Sequence, residues 1–292
     1  MASIYLNVGC GHRYHPDWIN MDVAPSDSKI LPCDLSEGIP LPDNHCDVVY
    51  HAAVLEHLRT SDSIKFIKEC NRVLIPGGIL RVGVPDLEIL CRLYLDRLES
   101  AVSGDNQSTH DYDWIMTELF DQIVREQSGG KMVDWFKEEP LPNPGFIQQR
   151  IGEEARALLQ SFRLKSTRHC GQEALSPSRF AKLIIRKLSK LSLPRIKTLI
   201  GELLLGKDDL LALRIGRFRM GGEVHHWMYD RFSLARLLRE AGFVDPVQMD
   251  AGKSQIPGWL DYGLDMLADR TVIKPDLIFM EAIKPQRGFY AE

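Results

Sequence analysis

A doubly wound α/β fold carrying a helical insertion is predicted for this chain by three observations. Apolar runs of strand length alternate with segments of helical spacing in the N-terminal part, a long polar and helical stretch breaks that rhythm, and two strand-like runs close the C-terminus. Composition permits this. The 292 residues are 44% hydrophobic and 26% charged, which suits one large domain with an insertion or two small domains. A net charge of −4 gives no global attraction to nucleic acid. Cys10, Cys33, Cys46, Cys70, Cys91 and Cys170 are widely spaced with no CxxC pair, so reduced thiols in a cytoplasmic protein are expected. No charged and apolar leader precedes the first strand, and the apolar stretch "TLIGELLLG" is too short to span a bilayer and contains Glu202. Neither export nor stable membrane association is expected.

Taken in order, Ile4 to Val8 and Trp18 to Val23 read as short strands. Cys46 to Ala52, "CDVVYHA", is a third, buried on both faces because its apolar residues run together. After the capping cluster "TSDS", Ile64, Ile67, Cys70, Val73 and Leu74 keep helical spacing until "IPGG" stops the helix. Ile79 to Val84 is another strand, and Leu87, Leu90, Cys91, Tyr94, Leu95 and Leu98 mark another helix. From about Ser100 to Gly222, polar loops separate helical segments and nothing reads as a sheet strand. "YDRFSLARLLREAGF" then places Leu234, Leu237 and Leu238 on one helix face with Gly242 as its C-terminal cap. Phe243 to Met249 and Asp276 to Ile283 are the closing strands. The expected organisation is residues 1–99 as the ligand-binding half of the domain, 100–220 as a helical insertion forming a lid or acceptor region, and 221–292 as the domain's C-terminal part.

The turn after the first strand, "VGCG", brings backbone N–H groups to the carboxyl ends of the strands, where a doubly wound sheet receives its ligand. A dinucleotide would want G-x-G-x-x-G and an acid about 20 residues on. Tyr14 stands at the third glycine position, and Asp22 follows Gly11 by only 22 − 11 = 11 residues. That spacing penalises a dinucleotide more than S-adenosylmethionine, which has no pyrophosphate and asks only for a loop and a carboxylate on its ribose. A tight turn that glycine permits is the plain alternative. Asp34 would sit at a neighbouring strand end, able to accept from an adenine amino group, with an Asx turn or helix cap as its other reading. Glu56 and His57, in "HAAVLEHL", are placed for chemistry at the end of the third predicted strand.

Taken together, "LNVGCG", "WINMD", "CDLSEGIPLPDNHCDVVYHAAVLEHL", "ECNRVLIPGGILRVGVPD" and "HHWMYDRFSLARLLREAGF" resemble the class I S-adenosylmethionine-dependent methyltransferases, whose sheet is Rossmann-like. More narrowly they are similar to a bacterial group associated with cell-surface polysaccharide assembly. The likeness covers roughly residues 3 to 98 and 221 to 284, and no motif falls in the insertion. It implies that Gly9 and Gly11 hold the methionine end of the cofactor, Asp22 the ribose and Asp34 the adenine edge, with Asn7, Cys10 and Leu35 completing the set. Asn7 departs from the usual acidic residue but can orient the loop by hydrogen bonding.

Methyl transfer is an in-line displacement, so the protein aligns the nucleophile and, for a hydroxyl, takes its proton. The [Asn/Asp]-Pro-Pro-aromatic tetrapeptide that resembling enzymes use on nitrogen is absent after the third strand, which favours oxygen of a small molecule or glycan intermediate. His57 is the expected base and Glu56 its companion, with a helix-capping histidine as the alternative. His225, His226, Trp227 and Tyr229 could line an acceptor pocket, or Trp227 and Met228 could staple the following helix. Glu56, His57 and a later histidine are also similar to methyltransferases that hold a divalent ion, but their further glutamate is Ala53 here, so no metal is expected. Between Arg179 and Lys197 a basic stretch with helical apolar spacing reads as a lid helix, or as a contact with anionic lipid. The rival to an enzyme is a non-catalytic binding protein that keeps the fold and uses the insertion to contact a partner.

Overall fold

The computed structural model describes residues 3–138, 140–169 and 193–286. Seven strands form one sheet: β1 (Tyr5–Val8), β2 (Ile19–Asp22), β3 (Ile30–Pro32), β4 (Cys46–Ala52), β5 (Leu74–Pro85), β6 (Val244–Met249) and β7 (Leu277–Ile283). Their order is β3-β2-β1-β4-β5-β7-β6, with the first five parallel and β7 antiparallel to both neighbours. This is a mixed α/β sheet of the Rossmann-like methyltransferase type. The chain runs outward from β1 to β3 and then crosses back to β4 on the other side of β1, so the order reverses between β1 and β4. A crevice is expected at the carboxyl ends of the strands there.

Physical chemistry accounts for these elements. Leu6, Val8, Val48 and Val49 are almost wholly buried, as central parallel strands covered on both faces require. Helices α1 (Thr60–Val73) and, late in the chain, Arg231–Glu240 bury Phe66, Ile67, Cys70, Leu234 and Leu238 against one sheet face. Asp230 caps the second of these through a full capping box with Ser233. "TSDS" is not a cap: it forms the first turn of α1, the N-cap is Arg59, and buried Ser63 turns its Oγ back to donate to the Arg59 carbonyl at 3.1 Å. The three-residue edge strand β3 escapes sequence patterning because Leu31 and Pro32 are exposed. β5 also starts earlier than expected, since Leu74 leaves α1 directly into pairing with Cys46.

Between β5 and the late helix lie α2 (Leu87–Val102), α3 (Asn106–Val124), α4 (Met132–Trp135), α5 (Pro144–His169) and α6 (Leu193–Arg219); we number Arg231–Glu240 α7. Leu90, Trp114, Ile115, Phe136, Ile147 and Ile151 build a second core. Within it the Trp114 Nε1–H and the Arg150 guanidinium both donate to Glu118, the latter at 2.6 Å, so the buried carboxylate is satisfied. Helix α5 breaks at Gly152, whose φ of +53° a side chain rarely adopts. A Cβ there would stand 2.5 Å from the Ile273 carbonyl oxygen, and Glu153 N–H donates to that same oxygen at 3.1 Å. The break thus clips α5 to the segment leading into β7. Residues 179–192 of the basic stretch lie outside the described residues, and among the described residues no helix is long and apolar enough to cross a membrane.

Candidate active site

The loop after β1 is fixed from three sides. Gly9 N–H and Cys10 N–H donate to the Met21 carbonyl at 2.8 and 3.1 Å, and Gly9 has a φ of +66° with its bare Cα against Val54. Gly11 N–H donates to Asp22 Oδ2 at 2.8 Å, while Oδ1 accepts from Ala24 N–H. Asn7, buried, donates from Nδ2 to the Arg13 carbonyl at 3.0 Å and so ties down the far end of the loop. A Cβ on Gly11 would meet nothing within 4 Å, so the outer face of the loop is open to a ligand. It borders a cleft of about 520 Å³, a size typical of small-molecule sites. Its lining includes Asn7, Gly9, Cys10 and Gly11 from the loop, Tyr50, Ala52 and Ala53 from the end of β4, and Glu153, Glu154 and Lys274 from later segments. Burial with Asp22 nearby pushes the Cys10 thiol up to about 11, so it stays protonated and unreactive.

Asp34 and Leu35 are not among the residues lining this cleft. Exposed Asp34 accepts from Ser36 N–H at 2.9 Å and caps the short 3₁₀ turn Leu35–Glu37, and those hydrogen bonds hold its carboxyl below the usual range. The sequence signal for this role was the Asx turn.

A second group of side chains gathers beyond the end of β4. Glu56 and His57 lie on a 3₁₀ turn, Leu55–His57, and the segment before α7 docks against it: His226 N–H donates to the Glu56 carbonyl at 2.7 Å and His225 N–H to the Gln122 carbonyl at 2.9 Å. This brings the His57 and His225 rings to a centroid distance of 4.7 Å, at 82°. One ligand atom each from Glu56, His57 and His225 lies within 4.8 Å of the others. The Glu56 carboxylate is fully buried, and neither oxygen has a hydrogen-bond partner among the described residues. Burial raises Glu56 to about 7 and lowers His57 to about 4 and His225 to about 3. The expected order of basicity is therefore reversed, with Glu56 the stronger base of the pair.

The residues expected to form an acceptor pocket go to separate places. His225 joins the Glu56 cluster, His226 is half-buried, and the Trp227 side chain is half exposed. Tyr229 is corrected outright: it is packed in the main core with its hydroxyl 3.2 Å from Ser63 Oγ, because a large ring beside α1 and α7 fills sheet-facing volume. None of the four lines the cleft. Glu153, Glu154, Asp265 and Lys274, which do line it, carried no motif. They come from a kinked helix and an irregular segment.

Comparison with known proteins bears on the N-terminal part of the chain. Residues 6–82 match the family model described as a methyltransferase domain. Two curated relatives carry the name "probable S-adenosylmethionine-dependent methyltransferase": one from Mycolicibacterium smegmatis is 35% identical over 28% of this chain and 37% of its own, and one from Mycobacterium tuberculosis is 41% identical over 29% and 36%. The match thus spans little more than a third of either relative's length. A solved methyltransferase from Archaeoglobus fulgidus aligns at 17% identity over 32% of this chain and 51% of its own, with a TM-score of 0.26. The sheet order is that of a Rossmann-like fold, and the methyltransferase-domain match falls in its N-terminal part. Within it, the matched residues 6–82 carry the glycine loop, Asp22 and the Glu56–His57 turn.

Proposed function

We propose that this chain is an S-adenosylmethionine-dependent methyltransferase acting on an oxygen of a small molecule or glycan intermediate. The observation that carries the reading is the Gly11–Asp22 hydrogen bond, which closes the ends of β1 and β2 around an open loop face beside the cleft. The residues suit the cofactor. Gly9, Cys10 and Gly11, braced by Asn7, would receive the methionine end, and the free lone pairs of Asp22 the ribose diol. Asp34 and Leu35, expected at the adenine edge, do not line this cleft, and Asp34 is engaged in its cap. When bound, S-adenosylmethionine supplies an electrophilic methyl on a sulfonium centre. The chain's own part is to orient an acceptor hydroxyl, exclude water and take the proton. Glu153, Glu154 and Lys274 give the cleft lining hydrogen-bonding charge suited to a polyhydroxy compound. Glu56 and His57, the pair expected to take the proton, lie beyond the end of β4 and do not line the cleft.

Hydrogen bonds to a charged acceptor contribute about 1.5–3 kcal/mol each. Asp22→Ala should therefore weaken S-adenosylmethionine binding at least ~10-fold by calorimetry. Gly11→Val should do the same by filling the open loop face. Unchanged affinity in both folded variants removes the loop from the site.

A further inference from the structure

Glu56 presents a problem that methyl transfer leaves unsolved. A buried carboxylate normally finds a hydrogen-bond donor or a cation. Among the described residues Glu56 has none: Oε1, Oε2 and the neighbouring His57 Nδ1 are all buried without a partner. The surrounding backbone is otherwise satisfied, since the Glu56 carbonyl accepts from both His226 N–H and Trp227 N–H. These atoms lie in one small cluster with His225.

We infer that Glu56, His57 and His225 form a binding site for one divalent transition-metal ion. One carboxylate and two imidazoles suit borderline ions such as Zn²⁺, Co²⁺ or Fe²⁺ rather than Mg²⁺ or Ca²⁺, which want oxygen. The ligand atoms lie within 4.8 Å of one another, and bonds of about 2.0–2.1 Å in tetrahedral geometry would draw them to about 3.4 Å. Rotation of three side chains supplies that movement. Neutral imidazoles are the required form, and burial already holds both rings uncharged at neutral pH. The Val224 carbonyl beside the His57 ring is the kind of outer partner that fixes a ligating imidazole. Charged or titratable groups facing the cluster are Lys274, Arg125 and His226 on one side and Asp276 on the other. Arg125 is paired with Asp121 and Glu223 at 2.8 and 3.0 Å, which leaves Lys274 as the competing cation.

Three protein ligands leave at least one coordination position for water or an acceptor oxygen. Occupancy does not depend on methyl transfer, so the test needs no substrate. The full chain, stripped with chelator and dialysed, is titrated with Co²⁺ by visible absorption and with Zn²⁺ by calorimetry. One equivalent of each should bind with saturation, and Co²⁺ should develop d–d bands. Glu56→Gln and His225→Ala should each lower affinity by more than the 10–100-fold typical of an outer-sphere change, while His226→Ala, one residue along, should leave it unchanged. Circular dichroism checks the fold of each variant. Absence of saturable binding by the wild type overturns the inference, as does binding that survives both ligand substitutions. A third overturning result is loss of stability on Lys274→Met without metal binding by the wild type, which would make Lys274 the partner of Glu56. Cofactor affinity is read separately, so failure there leaves this result standing.

Discussion

His51, the last buried residue of β4, sits fully enclosed with neither ring nitrogen hydrogen-bonded and its ring edge-on to Phe66 at 4.9 Å. Burial alone depresses it to about 3. Its folded value lies below the unfolded value near 6.5, so the unfolded chain binds a proton that the folded chain refuses. Stability is unaffected above about pH 6.5 and falls as pH drops from there toward 3. At about 1.4 kcal/mol per pH unit, His51 alone should cost the fold roughly 2 kcal/mol between pH 7.5 and pH 5. His51→Met keeps the apolar volume and removes the proton site. Urea unfolding of both proteins at the two pH values should show the variant gaining that difference on the wild type. A gap independent of pH would show that His51 is protonated, or solvated, in the folded state. Read from sequence, "VVYHAAVLEH" singles out His57 for chemistry and passes over His51. Burial separates them, because alternate residues of a central strand face opposite layers whereas His57 lies past the strand end.

At the scale of elements, what the sequence made legible was whatever repeats locally: the strand runs of β1, β2 and β4, the helical spacing of α1, α2 and α7, and the glycine turn with Asp22. What it hid depends on contacts between distant segments. Helix α5 is one case. Its apolar positions gave a helix in the insertion, but nothing in "QQRIGEEARA" says that Gly152 ends one helical run and starts another against Ile273. That contact is what puts Glu153 and Glu154 on the cleft wall. Gly152→Ala would place a side chain at φ +53°, costing about 1–3 kcal/mol in strain, and would press Cβ on the Ile273 oxygen for a cost of similar size. Gly145→Ala is the control, since its Cβ meets nothing within 4 Å. We expect a clear drop in denaturation midpoint for the first and little change for the second. Equal midpoints would mean that the break in α5 is not tied to Ile273.

Across the whole molecule, one buried cation joins the sheet to the C-terminal segment that helps to line the cleft. Arg81 on β5 pairs in register with Glu281 on β7. It donates to Glu281 Oε1 at 2.7 Å and to Asp265 Oδ2 at 2.9 Å, and reaches the carbonyls of Asp250, Ala251 and Lys253. Its guanidinium also lies 4.5 Å from the Trp259 ring centroid. Tyr50 donates to Asp265 Oδ1 at 2.6 Å, and both residues line the cleft. Sequence could not announce this network, because Arg81 sits inside an apolar strand run and its acidic partners lie 184 and 200 residues away. Removing one member of a buried ion pair leaves the others uncompensated, at a cost of about 3–5 kcal/mol. Arg81→Met should therefore lose stability on that scale in chemical denaturation. Because the loss comes from stranding Asp265 and Glu281, adding Glu281→Gln to Arg81→Met should cost less than Glu281→Gln does in the wild type, a coupling of about 0.5–3 kcal/mol. Strict additivity would mean that each side chain acts alone. The same substitution frees Asp265 and Tyr50 in the cleft lining, so ligand affinity should fall together with stability, whereas a stability loss with unchanged affinity would show that the lining is held by the backbone of β4 and β5.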